Sequence, residues 1–334
     1  MTLMTKFLGA AAAMALSAGA ALAEPALIFD LGGKFDKSFN EAAHNGAQKW
    51  ATETGGTYRE IELQSEAQRE QALRRFAEAG QNPIVTMGFA MATPVEAVAP
   101  DYPDITFVNI DGWLPEIPGN VQMISFQEHE GSYLAGMMAA MKSESGTIGF
   151  IGGMDIPLIR HFGCGYAQGA KAMNPDIKVI ANMTGTTPSA WNDPVKGSEL
   201  TKAQISQGAD IVYAAAGGTG VGVLQTAADE GILSIGVDSN QNHLHPGKVL
   251  TSMLKRVDVA VYNSMKNADA IEGGTAMVLG LAEEGVGVAF DENNAALVTD
   301  EMKMAVEDAR NKIIAGDLEV VSYYANDSCP ALDF

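Results

Sequence analysis

The segment 26–40 carries the strongest chemical signal in this chain. An apolar, strand-like run ends in Asp30, passes through two glycines and then presents Phe35, Asp36 and Asn40 in quick succession. Glycines permit a sharp turn and let a ligand approach the backbone closely. The aromatic ring could stack on a flat ligand while the acid and amide hydrogen-bond its edge. Equally, the segment could be an ordinary strand, turn and helix with a polar rim.

The residues that follow this loop predict an amphipathic helix from Phe39 to Glu53. Ser38 is a candidate N-cap, and Glu41 lies three residues further on, which is the spacing of a capping box. In an open α/β sheet, ligands bind in loops at the carboxyl ends of the strands. The predicted elements therefore place the loop where a binding site is expected.

The first 23 residues predict a secretory signal peptide. Lys6 provides the positive charge, residues 7–21 are apolar and rich in alanine, and Ala21-Leu22-Ala23 is a small-residue cleavage site. No cysteine follows this site to accept a lipid. We expect cleavage after Ala23 and a soluble protein of the periplasm.

Length and charge restrict the classes of function. Cleavage leaves about 311 residues, enough for two domains of ordinary size. The formal net charge of −20 argues against nucleic acid and anionic membranes as partners. It also fits an acidic surface that merely keeps an exported protein soluble. No feature of the sequence specifies an oligomer, and we expect a monomer.

Cysteine and histidine usage gives no metal or cofactor site. Cys164 and Cys329 are the two cysteines of the chain. Oxidising compartments favour a disulfide between them, although Cys164 could instead be a buried free thiol. No C-x-x-C motif occurs, and His243 and His245 are expected on the surface.

Alternating strand and helix patterns predict an α/β protein with two doubly wound, parallel-sheet lobes. Short strands rich in Val, Ile and Phe alternate with helices of ten to fifteen residues, as in parallel sheets covered on both faces. The pattern restarts after Ser125. We expect residues 24–127 with 256–283 to form one lobe, and residues 128–255 with 284–334 to form the other. A ligand cleft is expected between them.

A series of short motifs in one order resembles the BMP family of solute-binding proteins, the group related to purine nucleoside receptor A. The motifs are DLGGKFDKSFN (30–40), NIDG (109–112), EGSYLAG (130–136), IGFIGG (148–153), WNDPVKG (191–197), AGGTG (216–220), GVDSNQ (236–241) and SMLKR (252–256). The resemblance implies a type I periplasmic-binding fold with three crossings between lobes, an ABC importer with its permease as partner, and a purine nucleoside as ligand.

The resemblance also implies a role for individual residues. An aromatic from each lobe would sandwich the base, at positions that match Phe35 and Trp191. Asn40 and Asp111 match the residues that recognise the base. Asp238 and Lys255 match the ribose-binding pair, with the glycine loop at Gly217 and Gly218 near the sugar.

The residue chemistry is compatible with these roles and with plainer ones. Base stacking suits two aromatic faces, and vicinal hydroxyls suit a carboxylate beside an ammonium. Trp191 could instead be a packing residue, Lys255 a salt-bridge partner, and Asp111 and Asp238 helix caps. Asp30 could order the glycine loop without touching ligand.

The sequence is also compatible with other functions. The ligand could be another small polar molecule, such as a sugar or a modified nucleobase, or the protein could be a sensory receptor without a transporter. A nucleoside-processing enzyme would need a nucleophile with its base, or a metal cluster. His44, His129, His161, His243 and His245 are scattered along the chain and match no catalytic motif. We therefore expect no enzymatic activity.

Overall fold

The structure, a computed structural model, describes residues 23–334. Residues 1–22 of the predicted signal peptide lie outside the described residues. Within the described part of the chain, no helix combines the length and the apolar character needed to cross a bilayer.

The first sheet is entirely parallel and has six strands. Its strands are β1 (Ala26–Phe29), β2 (Arg59–Glu62), β3 (Ile84–Met87), β4 (Phe107–Ile110), β5 (Val121–Phe126) and β11 (Thr275–Leu279), in the order β11-β5-β4-β3-β1-β2. Both faces are covered by the helices α1 (Phe39–Thr54), α2 (Arg69–Glu78), α3 (Ala92–Val98) and α8 (Val257–Lys266). Strand β1 is buried throughout, as expected of a central parallel strand. We call this sheet with its helices the first lobe.

The second sheet repeats this arrangement with one antiparallel edge. Its strands are β6 (Thr147–Met154), β7 (Lys178–Gly185), β8 (Ile211–Ala215), β9 (Leu233–Asp238), β10 (Val249–Lys255) and β12 (Val286–Val288), in the order β12-β10-β9-β8-β6-β7. Its helices are α4 (Glu128–Lys142), α5 (Pro157–Met173), α6 (Pro194–Ser206), α7 (Thr219–Asp229) and α9 (Asp300–Ala315). We call this unit the second lobe.

The chain passes between the lobes three times. It leaves the first sheet after β5, returns after β10 through α8, and crosses again between β11 and β12. This is the two-lobed fold that the sequence predicts. Because every strand except the edge strand β12 runs parallel to its neighbours, the carboxyl ends of the strands in both sheets can face a common cleft.

Two strands of the first sheet were not predicted from sequence. Polar Gln122 and Ser125 interrupt the apolar run of β5, and β11 is an edge strand with Met277 and Val278 more than 40% exposed. Strand β11 pairs with β5, its partner about 150 residues earlier in the chain. Such long-range pairing leaves little local signal.

The C-terminal tail is fastened to helix α5 of the second lobe. A disulfide joins Cys164 to Cys329, whose Cα atoms are 5.5 Å apart. Gln168 binds the backbone of Val321 in both directions, donating to its carbonyl and accepting from its N–H, each at 2.9 Å. The tail therefore forms part of the outer wall of this lobe.

Replacing Cys164 and Cys329 together by alanine is expected to lower the free energy of unfolding by roughly 2–5 kcal/mol, as when a native disulfide that closes a long loop is removed. The thermal unfolding midpoint measures the loss. Wild-type protein in reductant provides the control and should fall to the same midpoint. Finding two free thiols in unfolded, unreduced protein would contradict the bridge.

Candidate ligand-binding site

A cleft of about 790 Å³, including its open mouth, lies between the two lobes. Residues that follow β1, β3 and β4 line it from the first lobe, and residues that end or follow β8, β9 and β10 line it from the second. Most of the residues predicted from sequence line it: Asp30, Asp36, Asn40, Asp111, Trp191, Gly217, Asp238 and Lys255.

Phe35, predicted as a stacking residue, does not line the cleft. Its side chain is 62% exposed, with its ring edge-on to His44 and the Lys34 ammonium 4.8 Å from its centre. Phe39, four residues later at the start of α1, lines the cleft instead, and so does Phe89. The sequence contained both aromatics of the segment, but only the path of the loop decides which ring faces inward.

Gly218 also lies outside the lining of the cleft. It is the residue before helix α7, and a side chain there would meet the carbonyl oxygen of Trp191 at 3.2 Å. Its lack of a side chain thus lets the segment that carries Trp191 pack against the helix. Gly217, by contrast, lines the cleft with a positive φ of 55°.

Asp36 caps helix α1. Its carboxylate accepts hydrogen bonds from the backbone N–H groups of Ser38, Asn40 and Glu41 at 2.8–3.0 Å. Burial raises the pKa of Asp36 to about 7 against these three donors. Ser38, the predicted cap, makes no capping bond and instead donates its hydroxyl proton to Asp238 of the second lobe. The capping role leaves Asp36 little capacity to bind a ligand.

Asn40 has an acceptor available to a ligand. Its Nδ2 donates to the carbonyl of Gly33 at 3.2 Å. Its Oδ1 and the Oδ1 of Asp111 are buried and have no hydrogen-bond partner among the described residues. Buried polar atoms are almost always paired, so these two acceptors suit the donors of a bound molecule.

Asp111 and Asp238 occupy equivalent places in the two lobes. Asp111 directly follows β4 and Asp238 ends β9, each the third strand of its sheet. Both have a left-handed backbone, with φ of 70° and 62°. Non-glycine residues in this region are strained, and such strain collects at functional sites. Matching topology therefore presents one carboxylate from each lobe to the cleft.

The ammonium of Lys255 forms ion pairs with Asp111 and with Glu128. Its Nζ lies 2.6 Å from Asp111 and 2.9 Å from Glu128, with the side chain only 2% exposed. Burial lowers the pKa of Lys255, but Asp111, Glu128 and Asp238 outweigh it and hold this pKa well above its usual value. The lysine is therefore charged at any physiological pH.

The carboxylates around Lys255 differ in their pKa. Burial raises the pKa of Glu128, but Lys255 and His161 outweigh burial and bring it down to about 2. Burial raises the pKa of Asp111 to about 7 despite Lys255, and burial also raises the pKa of Asp238. One cation among several buried acids leaves part of their charge uncompensated, so proton-donating groups of a ligand would be favoured there.

Trp191 ends a 3-10 turn of the second lobe, Pro188–Trp191, and lines the cleft. Its indole packs against the backbone of Gly153. A Cβ added at Gly153 would lie 2.2 Å from Cζ3 of its indole. The double glycine at the end of β6 thus makes room for a ring of this size. Trp191 is half-buried, leaving part of the indole available for contact.

Asp30 forms a bidentate ion pair with Arg69. Nε and Nη2 of the guanidinium donate to its two oxygens at 3.0 and 3.1 Å, and both side chains line the cleft. The sequence gives no signal for Arg69, because a lone arginine in a helix belongs to no recognisable pattern. The pair provides a neutral, rigid polar wall.

Two of the histidines that are scattered along the sequence come together in the fold. The rings of His129 and His161 stack 4.1 Å apart, and His161 Nδ1 lies 3.3 Å from Glu128. Burial, with a smaller effect from His161, lowers the pKa of His129 to about 3. Neither ring lines the cleft. Over residues 23–334, no group of three or more His, Cys, Asp or Glu is arranged to hold a metal ion.

Several bonds join the lobes directly across the cleft. The Ser239 hydroxyl donates to the carbonyl of Ser38 at 3.0 Å, and the Gln241 amide donates to the carbonyl of Lys37 at 2.9 Å. Lys255 and Asp111 also come from opposite lobes. The structure thus describes the protein with its lobes closed.

Comparison with known proteins gives the family. Residues 24–323 match the family model for PnrA-like ABC transporter substrate-binding proteins. The chain is 32% identical to an ABC transporter nucleoside-binding protein, BmpA, from Lactococcus lactis, over 89% of this chain and 88% of that protein. An ABC transporter system solute-binding protein from Aeropyrum pernix K1 has a similar crystal structure, with a TM-score of 0.83 and 29% identity over 91% of this chain and 95% of that one.

One relative is named a lipoprotein. The chain is 36% identical over 78% of its length to this relative, from Pyrococcus furiosus, of which 69% is covered. In this chain both cysteines are joined in the disulfide.

The family match, the fold and the cleft agree with the resemblance seen in the sequence, and the chain belongs to the Bmp family of PnrA-like ABC transporter substrate-binding proteins.

Proposed function

We propose that this protein binds a purine nucleoside between its lobes and delivers it, as a monomer in the periplasm, to the permease of an ABC importer. Substrate-binding proteins of such transporters bind a small molecule and work with a membrane permease. The observation that carries the proposal is the pairing of aromatic rings from both lobes with a buried acid and ammonium cluster in one cleft.

The aromatic residues suit the base. Phe39 lines the cleft from the first lobe and Trp191 from the second. A purine between two rings gains stacking energy on both faces. The free acceptor of Asn40 is suited to the polar edge of the base, and Asp111 is a second candidate for it.

The charged residues suit the sugar. Vicinal hydroxyls of ribose can donate to the Asp238 carboxylate and accept from the Lys255 ammonium, and charge-assisted hydrogen bonds are the stronger kind. Gly217 brings backbone without a side chain to the cleft, next to Trp191. The name of the Lactococcus relative, a nucleoside-binding protein, is in line with this ligand class.

An enzymatic role is less well supported by the same residues. The two stacked histidines lie behind Lys255, outside the lining of the cleft. A general base must come within hydrogen-bond reach of its substrate. We therefore propose binding without turnover.

The expected result of calorimetry is binding of adenosine, guanosine or inosine, and much weaker binding of free ribose. Chromatography of the recovered ligand should find it chemically unchanged. Tight binding of ribose with no response to any nucleoside would overturn the proposal in favour of a sugar. Conversion of the bound nucleoside would favour the enzyme.

Removing either stacking ring should weaken nucleoside binding. Trp191→Ala and Phe39→Ala are each expected to reduce affinity about tenfold to a hundredfold, from the roughly 1–3 kcal/mol of one stacking contact. Ligand should also change the Trp191 fluorescence. Phe35→Ala is the matched control, because this exposed ring belongs to the same segment but lies outside the cleft. An equal loss in the Phe35 and Phe39 variants would contradict the assignment.

The buried carboxylate of Asp238 should reduce stability at high pH. Burial raises the pKa of Asp238 in the folded protein above its value of about 3.9 in the unfolded chain. The stability that this group contributes is therefore fully present below pH ~4 and is lost as the pH rises through its folded pKa. Asp238→Asn should raise the unfolding midpoint of ligand-free protein at pH 8, and the gain should shrink toward pH 4.

Asp155→Asn is the control of opposite sign. Hydrogen bonds from Arg160 hold the pKa of Asp155 below its usual value, so this variant should be less stable at pH 8. Asp238→Asn should at the same time lose nucleoside affinity. A midpoint at pH 8 below that of the wild type would show that the ionised Asp238 stabilises the fold instead.

A further inference from the structure

Glu128 is a buried acid that contacts Lys255 without itself lining the cleft. Its side chain is 1% exposed, and one of its oxygens lies 2.9 Å from Nζ of Lys255. An ammonium has three N–H donors. Asp111 accepts a hydrogen bond from one of them, whereas Glu128 is an ion-pair partner whose Oε1 makes no hydrogen bond, so donors of the ammonium remain for a ligand in the cleft.

The two acids that hold Lys255 come from different lobes. Glu128 begins α4 and Lys255 ends β10, both in the second lobe, whereas Asp111 belongs to the first. The Asp111 contact therefore depends on the lobes being closed. The Glu128 contact lies within one lobe and does not depend on closure. Of the two acids, only Glu128 can hold the ammonium in place before a ligand draws the lobes together.

The other oxygen of Glu128 is held from the opposite side. His161 Nδ1 lies 3.3 Å from it, and Nε2 of the same ring lies 3.1 Å from the hydroxyl of Ser322. His129 and Tyr324 pack against the His161 ring at 4.1 and 4.5 Å. Ser322 and Tyr324 belong to the C-terminal tail that the disulfide fastens to α5. A chain of polar contacts thus runs from Ser322 of the tail through His161 and Glu128 to Lys255 in the cleft.

We propose that Glu128 is a positioning residue, which fixes the Lys255 ammonium for the ligand's sugar, and that His161 and Ser322 of the tail hold Glu128 in turn. This assignment rests on the proposed function, since it takes the sugar hydroxyls as the partner of Lys255. Preorganised donors bind more tightly because less ordering is needed on binding. Glu128 would thus raise affinity without touching the ligand.

The test compares adenosine with adenine in matched variants. Glu128→Gln keeps the size of the side chain and removes its charge. It should weaken adenosine binding at least about tenfold, as when one partner of a buried charge pair is neutralised, and leave adenine binding unchanged. Glu130→Gln is the control, because Glu130 lies on the same helix but accepts from the backbone of Leu281 at 2.8 Å instead of contacting Lys255.

A double-variant comparison separates positioning from general damage. Lys255→Met should lose adenosine affinity, and Glu128→Gln added to it should cause little further loss, because the two residues act through one contact. Ser322→Ala changes the tail end of this chain of contacts, outside the lining of the cleft. It should also weaken adenosine binding, by a smaller factor, and should cause little further loss when added to Lys255→Met. It also serves where Glu128→Gln does not fold, as judged by its unfolding midpoint.

The outcomes separate the two proposals. Wild-type protein that binds no nucleoside would overturn the proposed function and this assignment with it. Wild-type binding together with unchanged adenosine affinity in Glu128→Gln would overturn the assignment alone. Equal losses for adenosine and adenine, or additive losses in the double variant, would reduce Glu128 to a residue that merely supports the fold.

Discussion

The buried ammonium of Lys255 is the interaction around which the cleft is arranged. A charge taken out of water costs several kcal/mol unless it is closely paired. Here Asp111 and Glu128 provide the pairing, and the rings of Phe39, Phe126 and Phe162 surround the ammonium at 5.1–5.4 Å. Aromatic faces stabilise a cation and exclude water at the same time. The site therefore combines a paired charge at its centre with an apolar, aromatic surround.

The Lys255 contacts also couple the site to the relative position of the lobes. Asp111 reaches Lys255 only across the cleft, and Ser38 reaches Asp238 in the same way. These bonds exist when the lobes are closed, and they use the same side chains that a ligand would engage. A ligand that binds between the lobes would therefore stabilise closure through its contacts to both of them.

The two sheets place Asp111 and Asp238 in the cleft through the same backbone geometry. Asp111 and Asp238 stand at the carboxyl ends of corresponding strands and share a left-handed backbone, which turns each chain sharply out of its sheet. The strain of this conformation is tolerated because the flanking strands are buried and fix the backbone on one side. Two similar lobes thus produce an asymmetric site, since only the second provides the lysine and the tryptophan.

The sequence by itself determined the two-sheet α/β architecture, because alternating apolar strands and amphipathic helices are local patterns. It also determined the family and most of the cleft residues, among them Trp191, Asp238 and Lys255, because these lie in the short motifs that carry the resemblance. Tertiary structure decided what depends on long-range contacts. The path of one loop turned Phe35 outward and Phe39 inward, and Asp36 rather than Ser38 became the helix cap. Likewise, Glu128 and His161 are separated by 33 residues, and only the packing of α4 against α5 places this pair behind the lysine.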